Sequence, residues 1–240
     1  PVAIGDVVFP AGSGIINVRD YGAKGDGVTD DTAAIQAAIS DSLWGSLPKG
    51  PERGNLPRFA HIYFPAGIYL VSDTLLPKNN EGKWNAYLTL QGQHRDKTII
   101  KLKDNALGYG ASSKPKSVLY TASECSIQGG GSTESKCNRS FDWTNLGEGN
   151  AAFHNNIFDL TVDTGRGNPK AIGIEYLANN NGAMCDIKIR SGDGQGYVGL
   201  SLEHKASGPA YIKNVVVEGF DYGVKAKNRT YTTTLEHITL

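Results

Sequence analysis

An all-β chain wound as a parallel β-helix is the fold the sequence predicts, and three observations carry that prediction. Four segments, 157–162, 184–189, 212–217 and 235–240, share one pattern of apolar residues. Aligned on Leu160, Ile187, Val215 and Ile238, they recur at intervals of 27, 28 and 23 residues, within the period range of solenoids. A second series at 173–177, 199–203 and 223–227, each opening on glycine, keeps the same beat at 26 and 24 residues. Finally, each repeat holds two short strands with no room for a helix between them, so a coil hides its inward side chains only by stacking on its neighbours.

Composition agrees with a turn-rich β chain. There are 30 glycines and one methionine in 240 residues, enough chain for one sizeable core. Lys plus Arg and Asp plus Glu both number 24, so no overall field favours nucleic acid, and neither nucleic acid nor membrane is an expected partner. No apolar run approaches the length of a membrane span. The chain opens on Pro1 without a charged-then-apolar leader, so a signal peptide is expected to have been removed or to lie outside it. Cys125 and Cys137, in a Gly/Ser-rich stretch, can close a small loop disulfide. Cys185, in phase with Ile187 and Ile189, reads as a small buried apolar residue. Asn138 and Asn228 open N-glycosylation triplets, and secretion is the favoured location.

Taken in order, residues 15–18 read as a strand leading into a glycine-bearing turn. Thr29 is expected to cap a helix of about three turns, with Asp30 and Asp31 placing negative charge in its first turn and Ala33, Ala34, Ile35, Ala37, Ala38 and Ile39 forming its apolar side. Residues 43–58 read as a polar insertion. Strands follow at 61–64 and 68–71, parted by a Pro-Ala-Gly turn, then at 87–91 and 98–102. The stretch 103–150 lacks periodicity and reads as a long loop, either functional or hiding strands. Residues 151–240 are the regular coils. The last repeat arrives at full strength with nothing after it, and an uncovered rung is unfavourable. The chain is therefore expected to be a single β-helix domain over 1–240 that continues beyond it.

The opening NVRDYGAKGDGVTDDTAAIQAAI (17–39) and the block YFPAGIYL (63–70) resemble the start of the pectate-lyase superfamily of right-handed parallel β-helices. Within it, the likeness is to the N-terminal half of glycoside hydrolase family 55 and to family 28-related proteins. The resemblance implies right-handed coils and an N-terminal helix (within 15–45) that covers the open end of the solenoid. It also implies a polysaccharide or oligosaccharide partner lying along a groove. For family 55 it implies a catalytic acid in a second β-helix, with groove-lining polar residues here at 179–181, 203–205 and 228–230.

The repeat register predicts where chemistry can sit. With Leu160, Val162, Ile187, Ile189, Val215 and Val217 inward, Asp163, Arg190 and Glu218 form one outward column. With Ile174, Leu200 and Val224 inward, Glu175, Ser201 and Lys225 form another, and Glu203 lies two positions further along. Cleavage of a glycosidic bond uses two carboxyl groups. Glu175 and Glu203, one rung and two positions apart, place their backbones about 8 Å from each other, so they are the candidate acid and base. Asp163, Arg190, Asp193 on the Gly-rich turn 191–196, His204, Glu218 and Asn228 are the candidate substrate contacts, with His204 read as a surface residue. No metal ligand set stands out and no cofactor is required, although calcium is a possible one. The expected function is a secreted carbohydrate-active enzyme, a glycoside hydrolase acting as a glucanase or pectinase. A polysaccharide lyase of the same fold and a non-catalytic glycan-binding or tailspike-like module are the alternatives. The C-terminal continuation of the chain, or a second β-helix, is an expected partner of the fold.

Overall fold

The computed structural model describes residues 5–10, 13–42, 60–80, 82, 87–121, 152–204, 208–226 and 232–240. Within them the chain is built of parallel strands that curl around one apolar core, consistent with a β-helix. Three stacks make the walls. The first runs β1 (Ile16–Asn17), β3 (Ala60–Phe64), β5 (Leu88–Gly92), β8 (Asn156–Phe158) and β11 (Asn179–Arg190). The second runs β2 (Asp26–Asp30), β4 (Gly67–Val71), β6 (Thr98–Leu102) and β9 (Thr161–Asp163), and it also meets β11. β13 (Gly208–Glu218) and β15 (Thr233–Thr239) extend both, so the two stacks form one sheet of eleven strands. The third is a separate sheet of β14 (Phe220–Ala226), β12 (Gly196–Leu202), β10 (Ala171–Glu175) and β7 (Lys116–Tyr120).

The repeat register is the one the spacing predicts. Ile187 pairs with Val215, and Val215 with Ile238, while Lys188 pairs with Thr161 beside Leu160. Leu160, Ile187 and Val215 are fully buried in the main core and Ile238 packs against it; burying each such side chain is worth roughly 1.5–3 kcal/mol. In the second series Ile174, Leu200 and Val224 pair in file, as do Glu175, Ser201 and Lys225. The opening glycines of that series stand where the sheets approach most closely. A Cβ on Gly173 would lie 2.3 Å from Ile189 Cγ2, and one on Gly199 would lie 2.1 Å from Val217 Cγ1.

One feature of the long strands departs from simple alternation. Asp159, Asp186, Asn214 and His237 all adopt left-handed backbone angles, with φ between 52° and 58°. Each immediately precedes its aligned apolar residue and adds one residue to the strand. Asp and Asn tolerate this conformation better than most residues, and Asn214 Nδ2 donates to Asp186 Oδ1 at 3.0 Å. The extra residue resets the phase: Met184, Ile187 and Ile189 are buried, whereas Cys185 is only half-buried. The expectation that Cys185 lies in the core with Ile187 is corrected for that reason.

Two further expectations are revised. The helix α1 (Thr32–Ser42) starts after Asp31, whose carbonyl accepts the first helical bond from Ile35, and Thr29 belongs to β2. The three aspartates instead tie the preceding loop. Asp26 accepts from Val28 and Thr29, Asp30 from Thr32, and Asp31 from the backbone of Lys24 and Gly25. Those bonds hold the Asp26 carboxyl down at about 2, the Thr29 backbone being the main cause. α1 buries Ile35, Ala38 and Ile39 in the core and contacts β1 and β3. The expected loop 103–150 contains β7, whose Leu119 is in register with Ile174. The separation of 55 positions between these partners hid the rung from a search at periods near 27. Within that loop, Cys125, Cys137 and Asn138 lie outside the described residues, as do all of 43–58.

Candidate functional site

Glu175 closes β10, and its surroundings fix it from several directions. Its carbonyl accepts from Thr121 N at 3.1 Å, just past β7. Thr121 Oγ1 accepts from Leu177 N and donates to Leu177 O. Asn155, fully buried, donates to Thr121 O and Leu177 O, and Tyr176 donates its hydroxyl to Asn155 O. Burial drives the Tyr176 hydroxyl pKa far up. This network locks the backbone on either side of Glu175.

The side chain of Glu175 is not on an open outer face. It is 1% exposed, because Tyr120 occupies the next rung in register with it, and Tyr120, Leu177 and Ala152 form a small apolar cluster there. His204, also 1% exposed, brings Nε2 to 2.8 Å from Glu175 Oε1, with its ring edge-on to Tyr120 at 5.5 Å. The approach is close enough for an ion pair but out of line for a hydrogen bond, and among the described residues Glu175 Oε2 and both His204 ring nitrogens lack a hydrogen-bond partner. Two expectations are thereby corrected: Glu175 does not stand in a solvated column, and His204 is not a surface residue. The signal for His204 was present in the sequence, since it falls in phase with Leu200 and Leu202, both buried.

Glu203 is more accessible, its side chain 15% exposed and 3.5 Å from Lys225 Nζ. Lys225 in turn donates to the Tyr197 hydroxyl at 3.1 Å and lies over the rings of Tyr197 and Tyr222, which meet edge to face at 5.8 Å. Burial works to lower the Lys225 pKa, but Tyr197 and Glu203 outweigh it and the net direction is up. Glu175, His204 and Glu203 thus gather at one end of the four-stranded sheet, next to a cation and two tyrosines.

The column Asp163, Arg190, Glu218 forms as its register requires. Asp163 is 4% exposed; its Oδ2 receives Arg190 Nε at 2.8 Å and its Oδ1 receives Gly165 N at 2.8 Å. Glu218 pairs with Lys188 at 2.9 Å rather than with Arg190. Asp193 accepts from Gly167 N, Ser191 Oγ and Gln195 N, and the Gly167 bond is the main reason its pKa is lowered. Lys101, Asp163, Arg166, Arg190, Ser191 and Gly192 line a cleft of about 340 Å³. Lys101 and Arg166 were not singled out from sequence: Lys101 stands in register with Asp163, one rung before the four repeats that set the column, and Arg166 lies outside the strands. Asn228 lies outside the described residues. Among the described residues no group of three or more His, Cys, Asp or Glu is arranged to hold a metal ion.

Comparison with known proteins follows the same lines. The chain is 26% identical over 223 residues to a probable glucan endo-1,3-beta-glucosidase of Arthroderma benhamiae, covering 90% of this chain and 21% of that protein. It is 52% identical over 61 residues to the non-secreted LysM effector LysM15 of Penicillium expansum, covering 25% of this chain and 4% of that one. The chain therefore spans less than a quarter of the length of these relatives. Among solved structures, the A-module of the mannuronan C-5 epimerase AlgE6 of Azotobacter vinelandii superimposes with a TM-score of 0.53 at 21% identity. That match covers 93% of this chain and 55% of the module, a likeness of fold. Residues 15–240, nearly the whole chain, match the family described as rhamnogalacturonase A/epimerase, pectate lyase-like, and the chain belongs to that family.

Proposed function

We propose that this chain is the polysaccharide-handling β-helix of a secreted glycoside hydrolase, a right-handed parallel solenoid whose first coil is covered by α1. The glucan endo-1,3-beta-glucosidase likeness, which runs along 90% of the chain, supports a glycosidase. The observation that carries the reading is the buried Glu175 carboxyl, 2.8 Å from His204 with Oε2 unpartnered among the described residues, and the more accessible Glu203 next in the chain to that histidine. A buried polar group without a partner costs stability, and such a cost is kept where the group has work to do.

In this reading one carboxyl donates a proton to the glycosidic oxygen as the bond to the anomeric carbon breaks. The other takes a proton from the water whose oxygen adds to that carbon. Glu203 meets the saccharide first, and Glu175 is reached when the covering Tyr120 ring gives way. No cofactor enters. The same contact suits proton abstraction from a uronate, so a lyase-type reaction is the second reading; the family's own description joins a hydrolase with an epimerase. Calcium is a possible aid to that second reaction only.

The test is a panel of neutral and uronate polysaccharides incubated with this chain and its Glu175→Gln and Glu203→Gln variants. New reducing ends without near-ultraviolet absorbance, lowered about 100-fold or more in either variant, are the expected result. An unsaturated absorbing product lost with chelator would replace the hydrolase with the lyase. Cleavage undiminished by both substitutions would remove these carboxyls from the mechanism.

A further inference from the structure

Residues 5–10 cross the outer face of β3 and β5 as an irregular strap. Val7 is fixed on both sides: its N–H donates to Gln93 O at 2.8 Å, and its carbonyl accepts from the Tyr63 hydroxyl at 2.7 Å. Asp6 anchors the outer end, with Lys97 Nζ at 2.8 Å on Oδ1 and Gln93 Nε2 at 3.2 Å on Oδ2. Phe9 supplies the apolar seat, its ring in edge contact with His61 at 5.2 Å and with Tyr63 at 5.1 Å. His61 is the weak point of this arrangement. Its Nε2 is buried and has no hydrogen-bond partner among the described residues. Burial lowers its pKa, with no charged neighbour among the causes. Thr89, in register with it on β5, carries no charge. The charged and titratable groups around the strap are Tyr63 on β3, Lys97 and His94 after β5, Arg19 after β1 and Asp6 itself, which Lys97 already holds.

We infer that residues 5–10 are a pH-released strap, in which protonation of His61 unseats Phe9 from the outer face of β3. A neutral imidazole packs against an aromatic ring without loss. An imidazolium in the same seat has neither water nor an acceptor for its buried N–H, and a buried charge without a partner is costly. The attraction of a cation for an aromatic ring offsets only part of that cost. Lifting Phe9 admits water and removes it. In the released state His61 returns to its ordinary value of 6.5, above its value in the seated state. The seated state therefore binds fewer protons. Its advantage is complete above pH 6.5 and declines as pH falls through that value, by up to about tenfold for each pH unit, until the seated-state value is passed. The other fastenings do not titrate in this window. The Lys97 bond, chief among the causes, holds the Asp6 carboxyl below its ordinary range, and burial first of all raises the Tyr63 hydroxyl. Release thus starts at Phe9 and uncovers Tyr63, which is 6% exposed beneath the strap. Tyr63 heads an outward column that continues through Gln91 and Phe158. The device is independent of the carboxyls at Glu175 and Glu203.

The experiment is amide hydrogen exchange on the whole chain from about pH 7.5 to about pH 5, corrected for the pH dependence of exchange in an unfolded chain. The His61 ring is followed by NMR on the same samples. Protection of the Val7 N–H is expected to fall below pH 6.5 by up to about tenfold for each pH unit. His61→Phe keeps a ring that takes no proton, so it should hold the protection in acid. Phe9→Ala should lose the protection throughout and bring the His61 titration back to 6.5. His94, the other histidine near the strap, is the control: His94→Gln should respond to pH as the unaltered chain does. Equal protection of Val7 across the range would overturn the inference, as would a pH response that survives in His61→Phe or vanishes in His94→Gln. Should His61→Phe fail to fold, Phe9→Ala decides alone, since a His61 titration unmoved by loss of the Phe9 ring would also overturn it.

Discussion

Asp163 and Glu175 are both carboxylates at strand ends, both almost wholly buried, and both on columns that the repeat register sets outward. Their bonding differs. Asp163 has each oxygen matched to a donor, one a guanidinium and one a backbone N–H. Glu175 meets His204 at 2.8 Å in poor alignment and leaves Oε2 with no partner among the described residues. A satisfied buried charge reads as a fastening, whereas an unsatisfied one is retained against its own cost. The same functional group at the same depth therefore points to structure in one sheet and to chemistry in the other.

The largest expected effect tests the second half of that contrast. Glu175→Gln keeps the shape and removes the ionisable group. It should lower polysaccharide cleavage about 100-fold or more while leaving the thermal midpoint unchanged or slightly raised, since no aligned hydrogen bond is lost. Activity assays beside differential scanning calorimetry on the same samples decide it. A Glu175→Gln chain that unfolds earlier and cleaves normally would turn Glu175 into a second Asp163.

Next in size is the converse. Asp163→Asn leaves Gly165 with an acceptor but sets Arg190 against a neutral amide. Breaking a fully buried pair costs about 3–5 kcal/mol. The Arg190 side chain is 40% exposed, so solvent screening brings the expectation down to about 2 kcal/mol. Chemical denaturation measures it, with a lowered midpoint and an unchanged slope as the expected outcome.

The two sheets also differ in how far the sequence revealed them. The columns led by Leu160 and Ile174 were legible because stacking enforces one spacing, and a register read from Ile187 to Val215 carries every outward neighbour with it. The candidate carboxyls were legible for the same reason. Three kinds of information were not. Left-handed residues such as Asp186 insert a phase change that no polarity pattern marks, which misplaced Cys185. The rung at Leu119 was displaced by a long intervening segment. The covering of Glu175 by Tyr120, and the approach of Lys101 to Asp163, depend on rungs far back in the chain whose register the regular repeats do not reach, and Arg166 lies outside the strands.

A smaller effect comes from the left-handed positions themselves. Burial, and then the nearby Asp186, push the Asp159 carboxyl pKa above its ordinary value, opposed by the hydrogen bond from Gln91. A group with a raised folded pKa contributes stability below its unfolded pKa and loses that contribution as pH rises through the folded one. At neutral pH the charged Asp159 is therefore a liability. Asn214, two coils on, holds the same backbone angle without a charge. Asp159→Asn should raise stability at pH 7 by a small margin, because solvent screens a half-exposed group, with the gain fading on acidification toward the ordinary carboxylate range. Melting curves at pH 4 and pH 7 give the comparison, and a gain equal at both would contradict the electrostatic origin.

The smallest expected effect returns to the column where Asp163 stands. Glu218 shares its register through Arg190, yet it bonds Lys188 at 2.9 Å with its own side chain 54% exposed and that of Lys188 26% exposed. Water already solvates both partners well, and ordering two long side chains offsets most of the attraction. Exposed pairs of this kind contribute about 0.2–1 kcal/mol. Glu218→Gln should thus shift the denaturation midpoint by at most about half of what Asp163→Asn does, and added salt should erase the shift. If the two substitutions instead cost the same, position in the column rather than burial would govern what a carboxylate does here. The inference drawn from the incomplete bonding of Glu175 would then lose its footing.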